Sequence, residues 1–319
     1  MARKITCICL ILILLAGLLA GCAPNQPEDD RLRVVASIFP EYDFARAIAG
    51  GLARVDMLIA PGASIHTYDP SPVDILTIQR ADIFLYVGGE SDVWADRLLA
   101  SLDKATARNG FSHMTALRLM DHVKLLREEH REGMSGHEEG DGEDAWDEHI
   151  WTSPKNAMLL MEAIRDAMCA ADPVNAAAYT ENAAAYMEQL AQVDREIMEI
   201  AARAKRRTIV VADRFPFLYF VRDYGLDYAA AFPGCSDQTD AGADTLRHLI
   251  HMAKQIQAPY IYRVELSNDS FARTVADAAG AGVLLLNSCH NVTKEEFDAG
   301  ITYIDLMRQN AENLRLGLH

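Results

Sequence analysis

Short apolar runs alternate with helical stretches along most of this 319-residue chain, and this alternation restricts its fold more than any other feature. Six runs are expected to form buried strands: 34–38, 55–59, 83–87, 208–212, 260–264 and 282–286. Strands that are apolar throughout and separated by helices are typical of parallel sheets with both faces covered. The length suffices for two domains. The sequence therefore predicts an α/β fold with two α/β lobes, residues 32–171 and 207–319.

A long helical stretch, residues 172–206, separates the two lobes. Asp172 is a capping residue, and Pro173 suits the first position of a helix. The interior is rich in alanine and contains no glycine or further proline, so its helix propensity is high. A helix of roughly 30 residues would extend about 45 Å. We expect one rigid linker helix that joins the lobes; the alternative is an ordinary lobe helix followed by a short coil.

The N-terminus carries the pattern of a bacterial lipoprotein signal. Two basic residues precede an almost wholly apolar run, which ends at Leu19-Ala20-Gly21-Cys22. Small residues before a cysteine predict a signal peptide over residues 1–21 and lipid attachment at Cys22. The alternative is an uncleaved membrane anchor, although the apolar run is short for a membrane span. Residues 22–31 contain two prolines and no apolar period, which predicts a flexible tether.

The formal net charge of the chain is −16. The predicted signal peptide carries two positive charges and no acids, so its removal changes this balance to −18. Such a charge disfavours nucleic acid as a partner, because phosphate binding needs clustered Lys and Arg. It also disfavours electrostatic binding to anionic lipid, so we expect membrane attachment through the N-terminal lipid. An acidic surface suits the attraction of cations, or is simply a solvated face.

Two cysteines lie in turn-like polar contexts. Cys235 follows Phe-Pro-Gly, and Cys289 lies within Asn-Ser-Cys-His-Asn. In an oxidising compartment they are the natural candidates for a disulfide. The alternative is two free thiols.

Two histidines lie in loop contexts that suit a metal site. His149 follows two carboxylates and comes just before a helix start at Pro154, and His66 lies within Pro-Gly-Ala-Ser-Ile-His-Thr-Tyr-Asp-Pro. Transition-metal sites are commonly assembled from such distant loops. Residues 127–148, just before His149, hold many acids, His130 and His137 but no apolar period. We expect a mobile loop there, which either collects metal or is a solvated acidic linker.

Several separated motifs resemble one known family. They are Pro-Gly-Ala-x-x-His-x-Tyr-x-Pro around His66, His-x-Trp-x-x-Pro-x-Asn-Ala from His149, Asp-Pro-x-Asn-Ala from Asp172, and Tyr-Ile-Asp-Leu-Met-Arg-Gln-Asn from Tyr303. Together they are similar to the metal-binding subunits of bacterial zinc and manganese ABC importers, the ZnuA-like or cluster A-I solute-binding proteins. The resemblance covers nearly the whole chain after the signal.

The resemblance implies two α/β lobes joined by a rigid helix, with the metal held in the cleft between them. It implies a monomer that binds metal without turnover and delivers it to an ABC permease and its ATPase. His66 and His149 match the first two metal-ligating histidines of the family, both from the first lobe.

The second lobe departs from the family pattern. Where members usually place a histidine after the strand at 208–212, this chain has Asp213, which is either an oxygen ligand or a local ion-pair partner. His290 follows the strand at 282–286, where the family often supplies its last ligand; it either restores a set of three histidines or is a surface loop histidine. Glu265 matches a family glutamate beside the cleft, as a ligand or as a support for one.

The predicted ligands indicate which metal the site would bind, and three other functional interpretations remain open. Three imidazoles and one carboxylate suit Zn²⁺. If Asp213 and Glu265 both ligate and His290 does not, the oxygen-rich site would instead favour Mn²⁺ or Fe²⁺. A surface zinc hydrolase would need Glu148 as a general base, but no compact catalytic signature is present. The last alternative is an adhesin whose metal is structural.

Overall fold

The computed structural model describes residues 29–109, 114–135, 145–234 and 241–319. Leu32–His319 form one compact unit, which contains two four-stranded sheets. The strands of the first sheet are β1 (Arg33–Ala36), β2 (Arg54–Met57), β3 (Ile83–Tyr86) and β4 (Thr115–Arg118). Those of the second are β5 (Thr208–Phe215), β6 (Asp227–Pro233), β7 (Tyr260–Arg263) and β8 (Gly282–Leu285).

Both sheets are parallel throughout, in the orders β2-β1-β3-β4 and β6-β5-β7-β8. The predicted α/β class with two parallel-sheet lobes is therefore confirmed. Two strands were missing from the prediction, β4 and β6. Strand β4 is a half-exposed edge strand, and β6 is rich in alanine, which has a low strand propensity although β6 is almost fully buried.

Helices flank the sheets and connect their strands. They are α1 (Phe39–Ala49), α2 (Pro72–Gln79), α3 (Val93–Asn109), α4 (Pro154–Ala171), α5 (Ala176–Arg203), α6 (Leu218–Tyr224), α7 (Ala243–Gln255), α8 (Ser270–Ala279), α9 (Lys294–Asp298) and α10 (Tyr303–Leu318). Helix α4 starts as the sequence suggested, since Ser153 caps it by accepting a hydrogen bond from the Asn156 amide and Pro154 opens it.

The long helix α5 packs against α1 and α4 of the first lobe and against α6 and α10 of the second. It is shorter at both ends than the predicted range 172–206. Asp172 ends α4 instead of starting α5, and its carboxylate accepts hydrogen bonds from Asn175 Nδ2 and Tyr179 Oη, both at 2.7 Å. Residues 173–175 therefore form a turn, and the 28-residue helix begins at Ala176.

The buried apolar face of α5 belongs to a hydrophobic core that both lobes share. Tyr179, Leu190 and Ile197 are almost completely buried, and the same apolar cluster includes residues of β1 and β5. Burial at helical spacing along one face explains how this helix packs against both lobes. Because both lobes share this core, large movements of one lobe against the other would expose apolar surface.

Within the residues that the structure describes, no helix is long and apolar enough to cross a bilayer. The predicted signal peptide and the lipidation residue Cys22 lie outside those residues.

Candidate metal centre

Three loops carry His66, His149 and His290, and hydrogen bonds tie these loops to one another. The indole Nε1 of Trp151 donates to the carbonyl oxygen of Ser288 at 2.8 Å, which joins the His149 loop to the His290 loop. The amide Nδ2 of Asn291 donates to the carbonyl oxygens of Ala60 (2.9 Å) and Ala63 (2.7 Å), which joins the His290 loop to the His66 loop. The three histidines therefore belong to one cross-linked assembly that spans both lobes.

The two first-lobe histidines lie side by side. The ring centroids of His66 and His149 are 5.8 Å apart. Together with Glu148, they can offer one ligand atom each such that these atoms all lie within 4.8 Å of one another. Both rings are largely buried, since His149 is only 2% exposed and the side chain of His66 only 9%.

The Nδ1 atom of each ring is hydrogen-bonded to an acidic or a hydroxyl group. His149 Nδ1 lies 3.1 Å from Asp147 Oδ1, which also accepts a hydrogen bond from the His149 backbone amide at 2.8 Å. His66 Nδ1 lies 3.0 Å from Ser91 Oγ. The Ser91 hydroxyl donates its one hydrogen to Glu148 Oε1, so His66 Nδ1 must donate to Ser91 Oγ. Both rings are thereby fixed in the tautomer whose Nε2 lone pair is free for a metal.

The second lobe repeats this arrangement around His290. Its Nδ1 lies 2.8 Å from Glu265 Oε1 and 2.9 Å from Ser288 Oγ, and the Ser288 hydroxyl donates to the same carboxylate oxygen at 2.5 Å. The other oxygen of Glu265 accepts from the Ser288 amide at 2.7 Å. Glu265 therefore orients His290, whose ring lies outside the 4.8 Å group formed by the first-lobe ligand atoms.

Burial opposes the charge of the Glu265 carboxylate, but its hydrogen bond with His290, together with the charge that His290 carries when protonated, outweighs burial, so the pKa of Glu265 is lowered. A carboxylate that stays ionised beside the ring keeps the Nδ1 proton of His290 in place. This supports the orienting role of Glu265.

Both carboxylate oxygens of Asp213 accept hydrogen bonds from groups of the second lobe. Its Oδ1 accepts from the Arg214 amide at 2.9 Å, and its Oδ2 accepts from the Val264 amide at 3.2 Å and from the Ser267 hydroxyl. These bonds brace the end of β5 against the loop that follows β7.

Burial and neighbouring charge affect the two first-lobe histidines in opposite ways. The pKa of His66 is lowered to about 2 by burial first, and then by the positive charges that His149, Arg214 and His290 carry when protonated. Burial also acts to lower the pKa of His149, but Asp147 and then Glu148 outweigh it, so this pKa is raised. The ring of His66 is therefore neutral at physiological pH, whereas His149 keeps its second proton to a higher pH than an ordinary histidine, and a metal would compete with that proton.

Two glycines allow the close packing of this site. A Cβ on Gly89 would lie 2.2 Å from Glu148 Oε2, and a Cβ on Gly234 would lie 3.1 Å from His149 Cε1 and Nδ1. Gly234 comes directly after β6, so the second lobe closes over the His149 ring from one side.

The segment before His149 is anchored over much of its described length, contrary to the prediction of a mobile loop over 127–148. Arg131 pairs with Asp227 and lies 3.8 Å from the centre of the Tyr228 ring, and Ser135 accepts from the Gly242 amide at 3.2 Å and lies 2.7 Å from Thr245 Oγ1. Residues 126–135 therefore lie on the second lobe, held by ion pairs between residues far apart in the sequence. His130 is described but does not join the metal cluster.

Some predicted residues lie outside the described part of the chain, namely His137 and Cys235. Cys289 is fully buried, and its thiol lies 3.7 Å from the Asn287 carbonyl oxygen. The Cys235–Cys289 disulfide and the metal-collecting role of His130 and His137 remain predictions.

Residues 34–317 match the family described as "Zinc-uptake complex component A periplasmic". The chain belongs to this zinc-uptake family. The zinc-binding lipoprotein AdcA of Streptococcus pneumoniae is 33% identical over 316 residues, which cover 96% of this chain and 60% of AdcA. The chain thus spans about 60% of the length of that relative. The high-affinity zinc uptake system protein ZnuA of Bacillus subtilis is 29% identical over 307 residues, covering 96% of this chain and 94% of the relative.

Solved structures from this family share the fold. The Zn(II)-bound ZnuA-like domain of Streptococcus pneumoniae AdcA is 31% identical, with a TM-score of 0.74 over 90% of this chain and 99% of that domain. The metal-dependent lipoprotein YcdH of Bacillus subtilis is 28% identical, with a TM-score of 0.75 over 90% of this chain and 99% of YcdH.

Sequence reasoning missed the hydroxyl groups that contact the candidate metal-binding histidines. Ser91 and Ser288 each connect a histidine to a glutamate, whereas the carboxylate of Asp147 contacts His149 directly. A usable signal exists for two of the three, since Asp147 and Ser288 each lie two residues before the histidine that they contact. Ser91 has no such signal, because only the fold brings it to His66.

Proposed function

We propose that this protein captures Zn²⁺ outside the cytoplasm and delivers it to a membrane permease. The observation that carries the proposal is the shared setting of His66, His149 and His290. Each ring has its Nδ1 bonded to a carboxylate or a hydroxyl, which leaves Nε2 free as a metal ligand. A carboxylate that holds a histidine in this way fixes the ring and increases its basicity, and such pairs accompany zinc-ligating histidines in general.

Nitrogen ligands favour Zn²⁺ over the harder ions considered from the sequence. Manganese and iron would be favoured by carboxylate ligands, but the oxygens of Asp213 and Glu265 already accept hydrogen bonds from second-lobe groups. Three imidazoles leave one position of a tetrahedral zinc ion for another group. The names of the relatives, a zinc-binding lipoprotein and a zinc uptake protein, support the same choice of metal.

The same contacts support binding without catalysis. A zinc hydrolase needs a free general base beside the metal-bound water. Glu148, the candidate for that base, has both oxygens engaged, Oε2 by the Ser91 amide at 3.0 Å and Oε1 by the Ser91 hydroxyl. Its role in this proposal is to hold His66 through Ser91.

Delivery needs attachment to the membrane and a transporter. The proposal assigns residues 1–21 to a signal peptide, Cys22 to the lipid anchor and residues 22–31 to a tether. A monomer anchored in this way would deliver zinc to an ABC permease and its ATPase. The relative that is named a lipoprotein supports the anchor.

Zinc titration against a chromophoric chelator tests the proposal. The wild-type protein should bind one Zn²⁺ and compete with the chelator, and the His149→Ala and His290→Ala variants should each lose at least about 100-fold in affinity. The matched control is His251→Ala, which removes an exposed histidine of α7 and should leave the affinity unchanged. If His290→Ala retained the wild-type affinity, His290 would not be a zinc ligand and the proposed contribution of the second lobe would be wrong.

A further inference from the structure

Arg214 brings a positive charge to a site that must hold a metal cation. It lies at the end of β5, paired in the sheet with Phe232 of β6, and directly precedes Phe215. A Cβ on Gly234 would lie 3.0 Å from the Phe215 carbonyl oxygen and 3.1 Å from the His149 ring. The ends of β5 and β6 therefore form the second-lobe wall against His149, and Arg214 belongs to this wall.

The guanidinium of Arg214 has no partner in the described part of the chain. Its backbone amide is bonded to Asp213 Oδ1, but its half-buried side chain makes neither a hydrogen bond nor an ion pair there. The adjacent carboxylate of Asp213 is directed to Val264 and Ser267 instead. A partly buried guanidinium that pairs with no described carboxylate is suited to bind an anion from solution.

The proposed protein ligands leave one coordination position of the zinc ion open for such an anion. His66, His149 and His290 supply three nitrogens, while the carboxylates of Glu148 and Glu265 are committed to Ser91 and Ser288. Zinc in a site with three protein ligands takes a fourth from solution. A neutral water there would leave the positive charges of the metal and the guanidinium uncompensated, and they would repel each other.

We propose that the site binds Zn²⁺ together with a small carboxylate, which completes the zinc coordination with one oxygen and forms a charge-assisted hydrogen-bonded pair with Arg214. The inference rests on the proposed zinc function and adds a second ligand to it. Carboxylate is favoured over halide because the planar guanidinium matches its two oxygens. The carboxylate arrives either free or already bound to zinc, as in an amino-acid chelate, and the same pocket serves both.

Zinc affinity measured with and without acetate tests this inference on the whole mature chain. Titrations against a chelator are run in perchlorate at constant ionic strength and pH, with acetate replacing part of the perchlorate in the second arm. Acetate weakly binds zinc in solution, so a protein without the carboxylate site should show a slightly lower apparent affinity in acetate. The wild type should show a gain of about tenfold, which matches one hydrogen bond to a charged group. A third arm with glycine, which chelates zinc, distinguishes a chelated carboxylate from a free one.

Three variants make the result specific to Arg214. Arg214→Gln should bind zinc in perchlorate at least as tightly as the wild type, because it lacks the repelling charge, and should gain nothing from acetate. Arg214→Lys keeps the charge without the planar fork and should retain part of the gain. Arg195→Gln changes an exposed arginine of α5 that pairs with Glu188, and should gain as much as the wild type.

A wild-type affinity that is unchanged or lowered by acetate would overturn the inference while leaving the zinc function intact. The same holds if Arg214→Gln gains as much as the wild type. Absence of zinc binding in both media would overturn the proposed function itself, and this inference with it. Thermal unfolding of each variant in the metal-free state verifies that the affinities refer to folded protein.

Discussion

The imidazole rings of His66 and His149 lie with their centroids 5.8 Å apart, yet the two rings are held in different ways. His149 contacts the carboxylate of Asp147 directly at 3.1 Å, whereas His66 reaches the carboxylate of Glu148 mainly through the Ser91 hydroxyl. The direct carboxylate raises the pKa of His149, and burial lowers that of His66. Metal binding to His149 is therefore expected to be coupled to proton release, whereas metal binding to His66 is not.

Replacing Asp147 by Asn should weaken zinc binding and reduce the release of protons. The amide oxygen of Asn can still accept from His149, so the ring keeps its place, but the charge that raises the His149 pKa is lost. We expect an affinity loss of about tenfold, as is usual for a group that supports a metal ligand. Below its raised pKa, His149 holds a proton that zinc must displace, so wild-type affinity should fall as the pH drops through that pKa.

Calorimetry at neutral pH, in buffers of different ionisation enthalpy, measures this proton release. Wild-type protein should release more protons per zinc than Asp147→Asn, while His66 contributes none because it is already neutral. Equal proton release by the two proteins would contradict the role given to Asp147.

Glu265→Gln and Asp213→Asn should have different effects, although both carboxylates lie in the second lobe. Glu265→Gln removes the charge that orients His290 and should lower zinc affinity by about 10- to 100-fold. Asp213→Asn disturbs the contacts with Val264 and Ser267 and should lower the free energy of unfolding of the metal-free protein by about 1 kcal/mol, with a smaller change in affinity. A larger affinity loss for Asp213→Asn than for Glu265→Gln would identify Asp213 as the ligand.

Glu41 should make the metal-free protein less stable as the pH rises. Burial, and then the charge of Asp92, raise the pKa of Glu41 to about 8, and its Oε1 has no hydrogen-bond partner among the described residues. The folded state therefore keeps a proton on Glu41 that the unfolded chain releases near pH 4.5. The resulting stabilisation is complete below that pH and is lost as the pH rises through about 8.

Glu41→Gln should remove this part of the pH dependence, because the amide stays neutral and its oxygen can still accept from Ser37. Between pH 5 and 8, the unfolding temperature of the wild type should fall by a few degrees more than that of the variant, equivalent to about 2 kcal/mol. Parallel curves for the two proteins would show that Glu41 is ionised in the folded state.

Arg131→Ala should release the segment 126–135 from the second lobe. The side chain pairs with Asp227 and Glu129 and donates to the Tyr228 carbonyl oxygen at 3.1 Å, and only part of it is exposed. We expect faster amide hydrogen exchange in residues 126–135, equivalent to a loss of about 1–2 kcal/mol of local stability. Arg195→Ala, an exposed arginine of α5, is the control. Unchanged exchange in the Arg131 variant would mean that other contacts hold the segment.

The sequence was sufficient for the parts of the protein that depend on local pattern. Apolar runs predicted six of the eight strands, local motifs singled out His66 and His149, and the family resemblance added His290. Hydrogen-bonded loops bring the three histidines into one assembly. The remaining features depend on contacts between distant residues. Asp213 accepts a hydrogen bond from Ser267, 54 residues away, and Arg131 of the segment before His149 pairs with Asp227, 96 residues away. No local pattern contains such pairings. The turn at residues 173–175 shows that Asp172 and Pro173, although suited to start a helix, can instead follow the end of the preceding one.

The central claim is that zinc is bound by three histidines from both lobes. A crystal structure of the zinc-loaded protein, with anomalous data collected at the zinc edge, tests it most directly. The account predicts one strong anomalous peak at about 2.0–2.1 Å from the Nε2 atoms of His66, His149 and His290. A peak coordinated by Asp213 or Glu265 in place of His290, or one located on the segment with His130, would contradict it.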